Sequence, residues 1–220
     1  MKRLVKVICL LLIVAMLPAL VSCDRSYDEA EVKAAASKLI SASLFLNEIY
    51  YGEGIKYLEN SERNNGVYCE ADPAFLLDCD FKTLSQLKTK TKEVFSEAHS
   101  ERMFKGSFSG TFTQSGGSSM ARYYQQYDNL GNPQYMMVYS EYEDMLKGDA
   151  IYDLEGIKVL GAEGEIVYVS VDVEISYDGK TQKNTIKVGL IEEESGWRLN
   201  SPTYASYNEY LDIYDELQKG

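Results

Sequence analysis

Histidine and tryptophan occur once each in this chain of 220 residues, and cysteine four times. With His99 the sole imidazole, a zinc set would rest on two thiolates, which do not complete a tetrahedral shell. Basic residues are scarce, 22 against 34 acidic ones, for a net charge of −12. Such a surface is repelled by phosphate, which argues against a nucleic-acid partner. No apolar run reaches the roughly 20 residues that span a bilayer. Ser115-Gly116-Gly117-Ser118 is glycine-rich but lacks the lysine of a phosphate loop, and the Asp128–Asn132 run breaks calcium-loop spacing at its third position. With no catalytic, metal or nucleotide motif, the expectation is a protein that is not an enzyme and takes no cofactor.

The amino terminus carries what the rest lacks. Lys2, Arg3 and Lys6 precede a nearly unbroken apolar stretch from Val7 to Leu20, the layout of an export signal covering residues 1–22. It ends at Leu20-Val21-Ser22-Cys23, a tetrad that resembles the lipobox of bacterial lipoproteins. The resemblance implies cleavage before Cys23 and a thioether-linked diacylglycerol, with palmitate-type chains, on its sulfur. Two chains hold firmly, because each buried methylene contributes about 0.8 kcal/mol. The expected location is the extracytoplasmic face of the cell membrane, with residues 23–27 as lipidated cysteine and short tether.

Removing residues 1–22 takes away three basic residues and no acidic one, moving the net charge to −15. The remaining length suits one domain with a real core. Eighteen tyrosines fit half-buried strands and contact surfaces. Cys69 and Cys79 lie ten apart in a compartment that permits disulfides. A bridge between them is expected, two separate thiols being the alternative.

Ser26 and Glu29 match a capping box, which starts a helix almost at the lipid, within roughly 10 Å of Cys23. Apolar residues recur at helical spacing from Val32 to Tyr50, and Gly52 stops the helix. Thr83 and Gln86 open a second helix, and Ser96 caps a third through Phe104. Residues 105–119 read as a loop or weak hairpin. Phe108 and Phe112 in it are either exposed residues for a partner or folded back onto the core. Strands follow over 120–127, 135–142 and 151–160, with a turn over 161–164. Val167, Val169, Val171, Val173 and Ile175 then alternate strictly with polar residues and tyrosine, a long strand with one apolar face. Asp178-Gly179 turns it into a returning strand through Ile186, Val188 and Leu190. Ser195-Gly196 leads into the last strand at Trp197, which is expected to be buried against the first or second helix. Residues 205–220 read as an amphipathic helix or tail.

Helices first and antiparallel strands after is the order of an α+β fold with helices on one sheet face. IVYVSVDVEISYDG (Ile166–Gly179) and IKVGLIEEESGWRLNSPTY (Ile186–Tyr204) resemble the end of NTF2-like (cystatin-like) domains, especially those of Gram-positive lipoproteins. The resemblance implies one cone-shaped domain over residues 28–204. The stretch from Thr83 to Ser96, T-x-x-[DQ]-L running into Val-Phe-Ser, is similar to secreted inhibitors of cell-wall DL-endopeptidases. Such a likeness implies a non-enzymatic binding protein with an envelope protein, such as a cell-wall hydrolase, as partner. The other class is an NTF2-like cone that binds or converts a small molecule.

Substituting Cys23→Ser tests the anchor. The variant domain is expected in the medium, or uncleaved, without incorporated acyl label; unchanged mobility and membrane retention would contradict the lipobox reading.

Overall fold

The structure, a computed structural model, describes residues 27–61, 67–109 and 120–208. Cys23, the signal segment, Phe112 and residues 209–220 lie outside the described residues. The fold is α+β: antiparallel strands curl strongly into a half-barrel, with helices packed against it. The helices are α1 (Glu29–Tyr51), α2 (Pro73–Asp78), α3 (Leu84–Val94) and α4 (Glu97–Phe108). The strands are β1 (Tyr68–Glu70), β2 (Tyr123–Tyr127), β3 (Pro133–Tyr139), β4 (Asp149–Tyr152), β5 (Lys158–Glu163), β6 (Ile166–Tyr177), β7 (Lys180–Glu193) and β8 (Gly196–Leu199).

A small sheet runs β1-β3-β2 and a larger one β4-β6-β7-β8, with β4 and β5 following one another along the same edge of β6. The alternation in β6 places Val167, Val169, Val171, Val173 and Ile175 on the buried face. Opposite them on β7, Val188 and Leu190 bury the returning strand. Asp178 and Gly179 both take positive φ, the twist a two-residue hairpin needs. The main core joins this face to α1 and α3 through Ile40, Leu46, Leu87 and Leu199. Trp197 is half-buried rather than buried, and its indole N–H donates to Glu31 on α1 at 3.1 Å.

Several boundaries correct the sequence reading. Asp28, not Ser26, caps α1, accepting from the Ala30 amide at 2.8 Å. Thr83 and Ser96 do cap α3 and α4. Helix α4 continues to Phe108, because Ser107 and Phe108 still face the core; residues 105–108 are therefore not loop. The expected strand over 151–160 breaks where the Asp153 carboxylate accepts from the Gly156 amide, a side-chain turn that separates β4 from β5. Gly161 sits at a bulge inside β5, so the turn falls at Gly164 and Glu165. Residues 205–208 are not helical. They are tied down instead, the Tyr207 amide donating to the Lys147 carbonyl and Ser206 accepting from the Lys147 amide. Tyr207 packs on Val173 and Ile175, so the packed body continues past residue 204.

Cys69 and Cys79 are buried thiols with no disulfide between them, contrary to the expected bridge. Cys69 is fixed in β1 opposite Val138, whereas Cys79 closes α2, joins the main core and donates to the Phe75 carbonyl.

Leu190→Ala is expected to cost about 2–5 kcal/mol, as a fully buried leucine at the centre of the sheet. Leu160→Ala, on an exposed leucine, should stay within about 0.5 kcal/mol. Urea unfolding of both variants decides it; equal losses would misplace the core.

Candidate functional site

A 23-residue helix that ends without a basic residue in its last turn leaves its carbonyls to be met from elsewhere. In this protein tertiary donors meet them. The Tyr123 hydroxyl donates to the Ile49 carbonyl at 2.7 Å, and the Met145 amide to the Tyr51 carbonyl at 2.8 Å. Arg122 donates through Nη2 to the Gly52 carbonyl at 2.5 Å. In the sequence Gly52 marks the helix end, and no local pattern points to Arg122 or Gly54.

Arg122 is only 2% exposed. Its guanidinium stacks on the Tyr142 ring at 3.8 Å and lies 5.3 Å from the Tyr123 ring. These π faces and the negative end of α1 are the groups that stabilise the buried charge. Nε and Nη1 have no hydrogen-bond partner among the described residues. Of the five guanidinium N–H donors, three are thus unmatched, and an unmatched buried donor costs about 1–3 kcal/mol. Gly54 makes the arrangement possible. Its φ is +79°, and a Cβ there would fall 2.3 Å from Nη2 of Arg122 and 2.5 Å from the Tyr123 hydroxyl.

Beside Arg122 lies a cavity of about 400 Å³, bounded also by Lys56, Tyr57, Tyr139, Tyr142 and the acidic Glu53, Glu59 and Asp144. Lys56 is paired with Glu53. A second cavity, also of about 400 Å³, is bounded by Tyr50, Tyr51, Arg102 and Met120, and shares Tyr139 and Tyr142 with the first. Burial pushes the hydroxyls of Tyr51 and Tyr123 up to about 12 and raises that of Tyr50 further. The hydrogen bond to Glu141 raises that of Tyr139. All stay protonated at neutral pH, able to donate and accept hydrogen bonds. The lining carries both signs of charge, the Arg122 guanidinium and the Glu53, Glu59 and Asp144 carboxylates.

The residues singled out from sequence do not converge here. Cys23 and Phe112 lie outside the described residues. Cys69 and Cys79 belong to separate elements, and burial pushes the Cys79 thiol up, away from the reactive thiolate. Phe108 is not an exposed contact: its ring packs on Tyr50, Phe104 and Tyr123. His99, the sole imidazole, is 5% exposed and stacks on Phe95 at 5.1 Å, with Nδ1 3.2 Å from Arg102. No family model matches the chain, and no curated protein matches it significantly.

Burial, with the Arg102 charge adding to it, holds His99 down at about 4, against 6.5 for a free side chain. Between those values the unfolded chain takes up a proton that the folded chain refuses, so stability falls as pH is lowered through that window. His99→Gln is expected to flatten this dependence. Urea midpoints at pH 7 and pH 5 check it: an unchanged slope in the variant would contradict a neutral buried His99.

Proposed function

We propose that the chain is a lipid-anchored binding protein on the extracytoplasmic face of the cell membrane, held through Cys23. It binds its ligand at the Arg122 end of the domain and does not convert it. The observation that carries this reading is the buried Arg122 with unmatched N–H groups beside a tyrosine-lined cavity. Val167, Val169, Val171 and Leu190 fill the inner face of the curled sheet at near-zero exposure, and the cavity of about 560 Å³ along β4, β6 and β7, bounded by Tyr152, Asp172 and Lys183, presents no unmatched buried charge among the described residues. Binding is favoured over catalysis because the buried side chain that lines the cavity, Arg122, is a rigid fork of N–H donors suited to holding an anion. The NTF2-like assignment belongs with this proposal: helices on a curled antiparallel sheet are compatible with such a cone.

A second reading has one supporting observation. The β2–β3 connection projects Leu130, 87% exposed, beside the exposed Tyr127. An apolar tip of this kind suits insertion into the cleft of an envelope protein, such as a cell-wall hydrolase, whose access it would block.

Native mass spectrometry of the full chain, purified from membranes in mild detergent, tests both. The expected result is a small-molecule adduct, recovered chemically unchanged after incubation. A recovered product of altered structure would make the protein an enzyme. A hydrolase bound in equal amount, and lost on Leu130→Asp, would replace the first reading with the second.

A further inference from the structure

The cavity beside Arg122 carries both signs of charge, and that combination narrows the ligand. One wall presents a guanidinium whose Nε and Nη1 have no partner among the described residues. A carboxylate matches such a planar donor through paired N–H···O bonds, one from Nε or Nη1 and one from the second N–H of Nη2, since Nε and Nη1 lie on different edges of the guanidinium. The same cavity is bounded by Glu59 and Asp144, and by Glu53, which Lys56 already holds. A dianion such as phosphate would meet these carboxylates and be repelled, in a chain that is acidic overall. A neutral acceptor would match the donors and gain nothing from the exposed acidic groups. Only a ligand that bears an anion and a cation satisfies both walls.

Resting on the binding-protein reading above, we propose that the ligand is a small zwitterion of the amino-acid or short-peptide class. Its carboxylate pairs with Arg122, and its ammonium group lies against Asp144 and Glu59. The volume, about 400 Å³, is near the lower end for small-molecule sites and suits a ligand of one or two residues. Tyr57 and Tyr139 also line the cavity, where aromatic rings suit a cationic end. The unmatched nitrogens are closed to solvent, so entry goes with a shift of Tyr142, which sits on the irregular segment between β3 and β4.

Titration calorimetry on the full chain in mild detergent tests the assignment. The probes are the free amino acids of both hands and alanyl dipeptides, each beside its carboxamide and N-acetyl form, with inorganic phosphate as the anion control. At least one free acid should saturate, its carboxamide and N-acetyl forms should bind at least tenfold more weakly, and phosphate should not compete. Arg122→Lys should remove most of the preference for the free acid over its carboxamide. Because Arg122 also caps α1, Asp144→Asn provides the independent variant on an exposed side chain. It should weaken the free acid about tenfold and leave the N-acetyl form unchanged. A carboxamide or N-acetyl form that binds as well as the free acid overturns the zwitterion. So does a panel without any binder when mass spectrometry still finds an unconverted ligand of other chemistry; in both cases the binding-protein reading stands. No binder and no adduct would remove both.

Discussion

The structure hangs on how the carboxyl end of α1 is satisfied. Twenty-three residues of helix converge on carbonyls that no neighbouring lysine or arginine in the last turn can meet. Donors from far along the chain take that place: Tyr123 and Arg122 at the start of β2, and Met145 from the segment before β4. These bonds fix the small sheet against the helix and set Tyr123 and Tyr142 against one guanidinium. The midpoint of α1 is tied in the same manner. Thr203 meets Ser43 and Asn47, and Tyr50 meets Thr91 on α3. A helix anchored at two levels by residues this distant orders the two sheets relative to each other.

The apolar core and the polar end divide the work. Valine and isoleucine on β6, packed against β7 and α1, remove the curled sheet from contact with water. Burial of that kind stabilises at about 25 cal/mol per Å² and tolerates no void without loss. Where the aliphatic packing stops, at the α1 terminus, the lining changes to tyrosine and arginine. Rings with polar tips pack tightly while leaving donors and acceptors along the edge of the packed region. Two of the cavities open at this transition.

Legibility in the sequence followed the range of the interaction. Strand β6 could be read residue by residue, because a period of two depends only on neighbours and one face is buried. The caps at Thr83 and Ser96 and the Asp178-Gly179 turn were legible for the same reason. The cap of α1 was misread because Ser26 and Asp28 are both competent, and only the backbone path selects Asp28. The break between β4 and β5 was written as Asp153 to Gly156, yet the apolar residues around it masked the turn. Arg122 was not legible at all. In one dimension it is a lone basic residue among tyrosines, and its meaning comes from Gly52 and Gly54, some seventy positions earlier, and from the stacking of Tyr142. The ten-residue spacing of Cys69 and Cys79 likewise says nothing of the separate elements that hold them.

Helix α1 also acts as a ruler. Its first residue follows Cys23 closely in the chain, and Gly52, just past its last, meets Arg122; at 1.5 Å per residue the two ends stand roughly 35 Å apart. With an acyl group at position 23, an upright helix would lift the guanidinium clear of the headgroup layer by several Debye lengths, each about 8 Å at physiological salt. At that height the surface potential of anionic lipids has decayed. The occupant of the cavity would then be selected by the local charges of the protein and by its concentration in the wall space, independently of lipid composition below.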